Sequence, residues 1–93
     1  MDSGNSANVI SISQSVGTIN ILLGNLDRRG FICCNDSTAS LYLKYGSSAS
    51  LTDYSIFIPA HSMYESIMNY TGLITGIWAS AGAGFARITQ VTP

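Results

Sequence analysis

Few side chains in this sequence are of a kind that does chemistry, and they are scattered. His61 is its one histidine. A catalytic histidine needs a carboxylate to orient it and a nucleophile or substrate proton within reach. Glu65 is near in sequence but forms no motif with it. Cys33 or Cys34 could offer a thiol nucleophile to His61. However, the two cysteines are neighbours, and neighbours in a strand point to opposite faces. One is therefore expected to pack inside as a small hydrophobe, and a disulfide between them is geometrically poor. No Cys-x-x-Cys or histidine-rich spacing makes a zinc site. Asp27, Asp36 and Asp53 could gather round calcium if their loops met, but aspartate serves turns for its own reasons. Gly82 and Gly84 lie in an alanine-rich tip rather than between a strand and a helix, so they form no phosphate loop. The expectation is a chain without catalytic residues, metal or cofactor.

Composition points toward contact instead of catalysis. The chain has 93 residues, 46% apolar and only 10% charged, with formal net charge -1. An average soluble domain is about 25% charged. A near-neutral, sparsely charged surface favours association, so homo-oligomerisation, as a dimer or trimer, is expected. Arg28 and Arg29 are adjacent while Lys44 and Arg87 stand alone. Phosphate-backbone binding needs clustered cations, which argues against nucleic acid. No apolar run approaches the length of a membrane span. The polar start, Met1 to Ser6, lacks the basic and apolar segments of a signal peptide, and the free thiols suit a reducing compartment. Assembly in a cytoplasm is the expectation.

The elements that must position any site read as short strands. The organising stretch is Arg29 to Gly46, where Phe31–Cys34 and Leu41–Tyr45 flank Asn35-Asp36-Ser37-Thr38. Those four residues carry turn chemistry, so the spacing predicts a β-hairpin. In the second run Leu41, Leu43 and Tyr45 share one face and Tyr42 and Lys44 the other. Residues 1–7 are expected to form a flexible arm before a single domain over 8–93. Alternation places Ile10 and Ile12 together in 8–13, and Ile19, Ile21 and Leu23 together in 18–23. Strands are further predicted over 52–58, with Tyr54, Ile56 and Ile58 opposite Ser55 and Phe57, and over 63–68, 73–78 and 85–91. Pro59 ends its strand for lack of a ladder donor, and Gly76 implies a bulge or a close neighbour. About eight short strands at spacings of roughly 8–12 residues predict an all-β, jelly-roll-like antiparallel sandwich.

Aromatic side chains are the best candidates for contact, because a sandwich buries one face of each sheet and leaves the other for a partner. Tyr42, Phe57 and Trp78 lead this set, with Tyr45 and Tyr70 beside them as candidate protein-interface residues. A glycan stacked on Trp78 and nearby tyrosines is the alternative.

Asn35-Asp36-Ser37 before Leu41-Tyr42-Leu43-Lys44-Tyr45-Gly46, then Tyr54 to Pro59, Tyr64-Glu65, and Tyr70-Thr71-Gly72 before Gly76-Ile77-Trp78 give about the last two-thirds of the chain a recognisable style. It resembles small structural proteins of tailed bacteriophages, of unassigned or head-decoration type. The resemblance implies a non-enzymatic virion protein, present in many copies, that cements major capsid protein subunits. A neck, tail or fibre component fits the same style.

Overall fold

The structure is a computed structural model that describes residues 6–66 and 70–92. Eight strands follow one another: β1 (Ser6–Ser13), β2 (Ile19–Leu22), β3 (Gly30–Ser37), β4 (Leu41–Tyr45), β5 (Ile56–Ile58), β6 (Met63–Glu65), β7 (Ile74–Trp78) and β8 (Gly84–Thr92). They form two antiparallel sheets, ordered β1-β8-β3-β6 and β2-β7-β4-β5. Strand pairs 1–8, 2–7, 3–6 and 4–5 are the rungs of one long folded-over hairpin, laid alternately in the two sheets. That is the winding of a jelly roll, which limits exposed strand edges by doubling the sheet.

Alternation builds the interior. Phe31, Cys33, Ala86 and Ile88 point inward from the first sheet, and Leu41, Leu43, Ile58, Ile74 and Trp78 from the second. Each such aliphatic side chain contributes about 1.5–3 kcal/mol by leaving water. Ile10 and Ile12 pack against this core as their spacing predicts. Gly76 has the close neighbour its sequence position implies: a Cβ there would lie 2.9 Å from Ile21.

Several local expectations are corrected. β3 and β4 are not a hairpin, because they lie in opposite sheets. The chain crosses between them through Thr38–Ser40, with Ala39 buried. Asn35, Asp36 and Ser37 are strand residues. A register shift between Asn20 and Leu22 bulges β2. It turns Ile21 and Leu22 both inward and leaves Leu23 exposed, against simple alternation. The strand expected over 52–58 begins at Ile56, so Tyr54 is freed from the face of Ile56 and Ile58. β1 already includes Ser6 and Ala7, which belonged to the expected arm. The rest of that arm, and the continuation of β6 toward Met68, lie outside the described residues.

Both cysteines are free, Cys33 buried and Cys34 half-buried. Burial, and to a smaller degree Cys34 beside it, pushes the Cys33 thiol up to about 12 from its ordinary 9.0. Burial also raises the Tyr45 phenol, from 10.0 to about 12, helped by its hydrogen bond with Tyr64. In each case the unfolded group ionises first. The stability these neutral groups provide is whole below about pH 9 and is lost as pH rises toward 12. A melting midpoint that falls steeply between pH 9 and 12, and less steeply above pH 10 in Tyr45→Phe, is the expected result. A midpoint flat from pH 8 to 11 would contradict it.

Candidate functional site

The outer face of the second sheet carries an aromatic cluster. Register sets Tyr42 beside Phe57 on one side and Ile77 on the other. Parity points all three away from Leu41, Leu43 and Ile58. The loop Gly46–Ser55 folds back over the same face. Thr75 Oγ1 donates to Gly46 O (2.7 Å) and accepts from Ala49 N (3.1 Å), so both Thr75 and Ala49 are buried. Lys44 Nζ meets Asp53 Oδ2 at 2.6 Å. The loop thereby delivers Tyr54, whose ring lies edge-on to Tyr42 at 4.7 Å, while Phe57 stands at 5.1 Å from the other side. Phe57 and Tyr54 remain 48% and 44% exposed. These values mark an apolar surface held in a defined shape by edge-to-face packing.

The outer face of the first sheet is mixed. Val9, Met63 and Phe85 are exposed there. Arg87 lies among them. It donates from Nε to Asp36 Oδ2 (3.1 Å) and from Nη1 to Ser11 Oγ (2.9 Å), and lies 4.9 Å above the Phe85 ring. Exposed ion pairs of this kind are worth at most about 1 kcal/mol. Cys34, Asp36, His61, Met63 and Arg87 line a hollow of about 360 Å³ on this side. His61 is placed there by a left-handed turn, φ 60°, and its N–H donates to Asn35 O (2.8 Å). Cys34 and His61 thus share a hollow, but no hydrogen bond joins them, and the Asp36 carboxylate is engaged by Arg87. Cys33 points into the core. Asp27, Asp36 and Asp53 are not brought together, and among the described residues no three metal-ligating side chains cluster.

Three of the expected contact residues lie elsewhere. Trp78 is 1% exposed, in the core, so no partner or glycan reaches it. Its Nε1 donates to Ser37 Oγ (2.9 Å) and Asn35 Oδ1 (3.2 Å). Its parity with Ile74 and Gly76 was the signal for this inward placement. Tyr45 and Tyr70 are half-buried and pack against the core. Their rings are 4.8 Å apart, Tyr45 also meets Phe31, and Tyr70 Oη donates to Leu73 O (3.1 Å). Tyr42 and Phe57 are on the outer face as expected, and Tyr54 packs against Tyr42 there. Alternation groups Tyr54 with Ile56 and Ile58, and that grouping fails because Tyr54 precedes the strand, which begins at Ile56.

No family model, curated protein or solved structure matches this chain.

Proposed function

We propose that the chain is a non-enzymatic virion structural protein of a tailed bacteriophage, a decoration or cement subunit that binds between capsid subunits and stabilises the head. The observation that carries this reading is the exposed Tyr54–Phe57 surface around Tyr42, on a chain with 10% charged residues. Apolar groups so placed and packed suit burial against a fixed neighbour, and stabilisation of that neighbour follows by mass action. The jelly roll fits, since viral capsid domains use it, but lectins and cupins use it too, so the argument rests on the surface. A neck, tail or fibre position would use the same surface, with another virion protein as partner.

The test removes the surface without touching the core. Tyr54→Ser with Phe57→Ser should fold normally, since both side chains face outward. Centrally placed aromatic anchors are each worth about 2 kcal/mol or more. The double variant should therefore bind purified heads at least tenfold more weakly and no longer raise their melting temperature. Full occupancy by the variant would remove this face from the account.

A further inference from the structure

We infer that the free edge of β1 pairs with the same edge of a second copy, joining two first sheets into one continuous sheet across a two-fold axis. The inference deepens the proposed function by naming one partner, and rests on that reading only for its purpose.

The four sheet edges are unequal. β5 and β6 have three residues each, and β2 has four and a bulge. Short and bulged edges are how sandwiches avoid pairing with other chains. β1 has eight residues, Ser6–Ser13, with no charge and no proline, and among the described residues it pairs on one side only, with β8. Nothing in that strand discourages a further strand.

Backbone geometry says which groups wait there. Gln14 N donates to Gly84 O at 3.1 Å, directly across the register that pairs Ser13 with Phe85. In an antiparallel pair, hydrogen-bonded and non-bonded positions alternate. Ile12, Ile10 and Asn8 therefore bond to β8. Ala7, Val9, Ser11 and Ser13 turn their N–H and C=O groups to the free edge. Their side chains point to the outer face, and all four are exposed.

A two-fold axis normal to the sheet keeps both outer faces on one side and runs the strands antiparallel. Residues of equal parity must then pair. Centring on Ile10 sets Val9 against Ser11 of the second copy and Ala7 against Ser13, so that all four outward residues exchange both their bonds. Charge opposes this only weakly, since each chain carries -1 overall and the paired strand carries no charged residue. A second observation lies at the same edge. The sandwich is open between β1 and β2, where Ile10, Ile21, Leu22 and Leu23 line a cavity of about 240 Å³. In this register Ile10 meets Ile10 of the second copy on the inner face and covers that seam.

Sedimentation of the purified chain across a wide concentration range should show a monomer–dimer equilibrium. Val9→Pro deletes an N–H that faces the free edge and bonds nothing among the described residues, and proline is accepted on edge strands in this orientation. It should keep the wild-type circular dichroism and raise the dimer dissociation constant at least tenfold. Should Val9→Pro fail to fold, amide exchange of the unaltered chain decides. Val9 and Ser11 amides should exchange at least tenfold more slowly at dimer-forming concentration than at high dilution. A monomer at every concentration, a dimer indifferent to Val9→Pro, or edge amides that exchange equally fast throughout would overturn the inference. The experiment uses free protein without heads, so its failure leaves the Tyr54 and Phe57 result standing, and the reverse also holds.

Discussion

Asn35→Asp is expected to cost at least 3 kcal/mol of folding stability at pH 7, from the exchange of an amino group for an oxygen. Asn35 is 0% exposed, and its amide works in both directions. Nδ2 donates to Ala39 O (2.8 Å), Ile58 O (2.9 Å) and Pro59 O (3.1 Å), while Oδ1 accepts from Ser37 Oγ (2.6 Å) and Trp78 Nε1. One side chain on β3 thereby ties the crossover at Ala39, the end of β5 and the tryptophan of β7. A carboxylate would set negative charge against three carbonyl oxygens with no water to screen it. Unsatisfied buried partners cost about 1–3 kcal/mol each, and more when charged. The sign with pH follows. Such a carboxyl has a folded pKa above its unfolded value near 4, so the variant should recover part of its stability below about pH 4 and lose it as pH rises. Urea unfolding at pH 3.5 and pH 7 checks this. A variant equally stable at both pH values would mean that the Asn35 pocket is open to solvent.

Arg28→Lys is expected to be nearly as damaging, about 3 kcal/mol, or a fall in midpoint of roughly 12–24 °C for a domain of this size. The two neighbouring arginines look alike in sequence, yet Arg28 is 1% exposed and Arg29 lies at the surface. No carboxylate meets the Arg28 guanidinium among the described residues. Four neutral oxygens do. Nε donates to Gln90 Oε1 (2.8 Å), Nη1 to Gly72 O (2.9 Å) and Tyr70 O (3.1 Å), and Nη2 to Leu23 O. Burial shifts its pKa downward, only partly opposed by the Tyr70 phenol. The planar fork spans the β2–β3 and β6–β7 connections and clasps them to β8. An ammonium is a point charge with three donors on a flexible stem and cannot reach the same oxygens together. Thermal denaturation of Arg28→Lys beside Arg29→Lys gives the comparison, with the second variant near wild type. If both melt alike, the clasp contributes nothing.

These two residues show where sequence reading succeeds and where it stops. Period-two alternation correctly turned Ile10, Ile12, Leu41, Leu43 and one cysteine inward, and Tyr42 and Phe57 outward, because a pleated strand allows only two directions. About eight strands in an all-β sandwich followed from the spacing of the strands along the chain. The expected hairpin of β3 with β4 failed, because Asn, Ser and Thr serve a tight turn and a buried corner by the same short-range hydrogen bonds. Which one occurs depends on partners as distant in sequence as Ile58 and Trp78. Arg28 escaped notice for a related reason, since its acceptors are backbone carbonyls, which any sequence supplies. Tyr54 is held at the surface by a loop whose anchor, Thr75, is distant in sequence.

The buried amide of Asn35 has a consequence for how the chain can be made. Asn35-Asp36-Ser37 is an acceptor sequence for N-linked glycosylation. A sugar attached to Nδ2 while the polypeptide is still extended would occupy the space that Ala39, Ile58 and Trp78 require. Secretion through a eukaryotic endoplasmic reticulum should therefore trap a misfolded, glycan-bearing product, whereas synthesis in a bacterial cytosol leaves the amide free to turn inward.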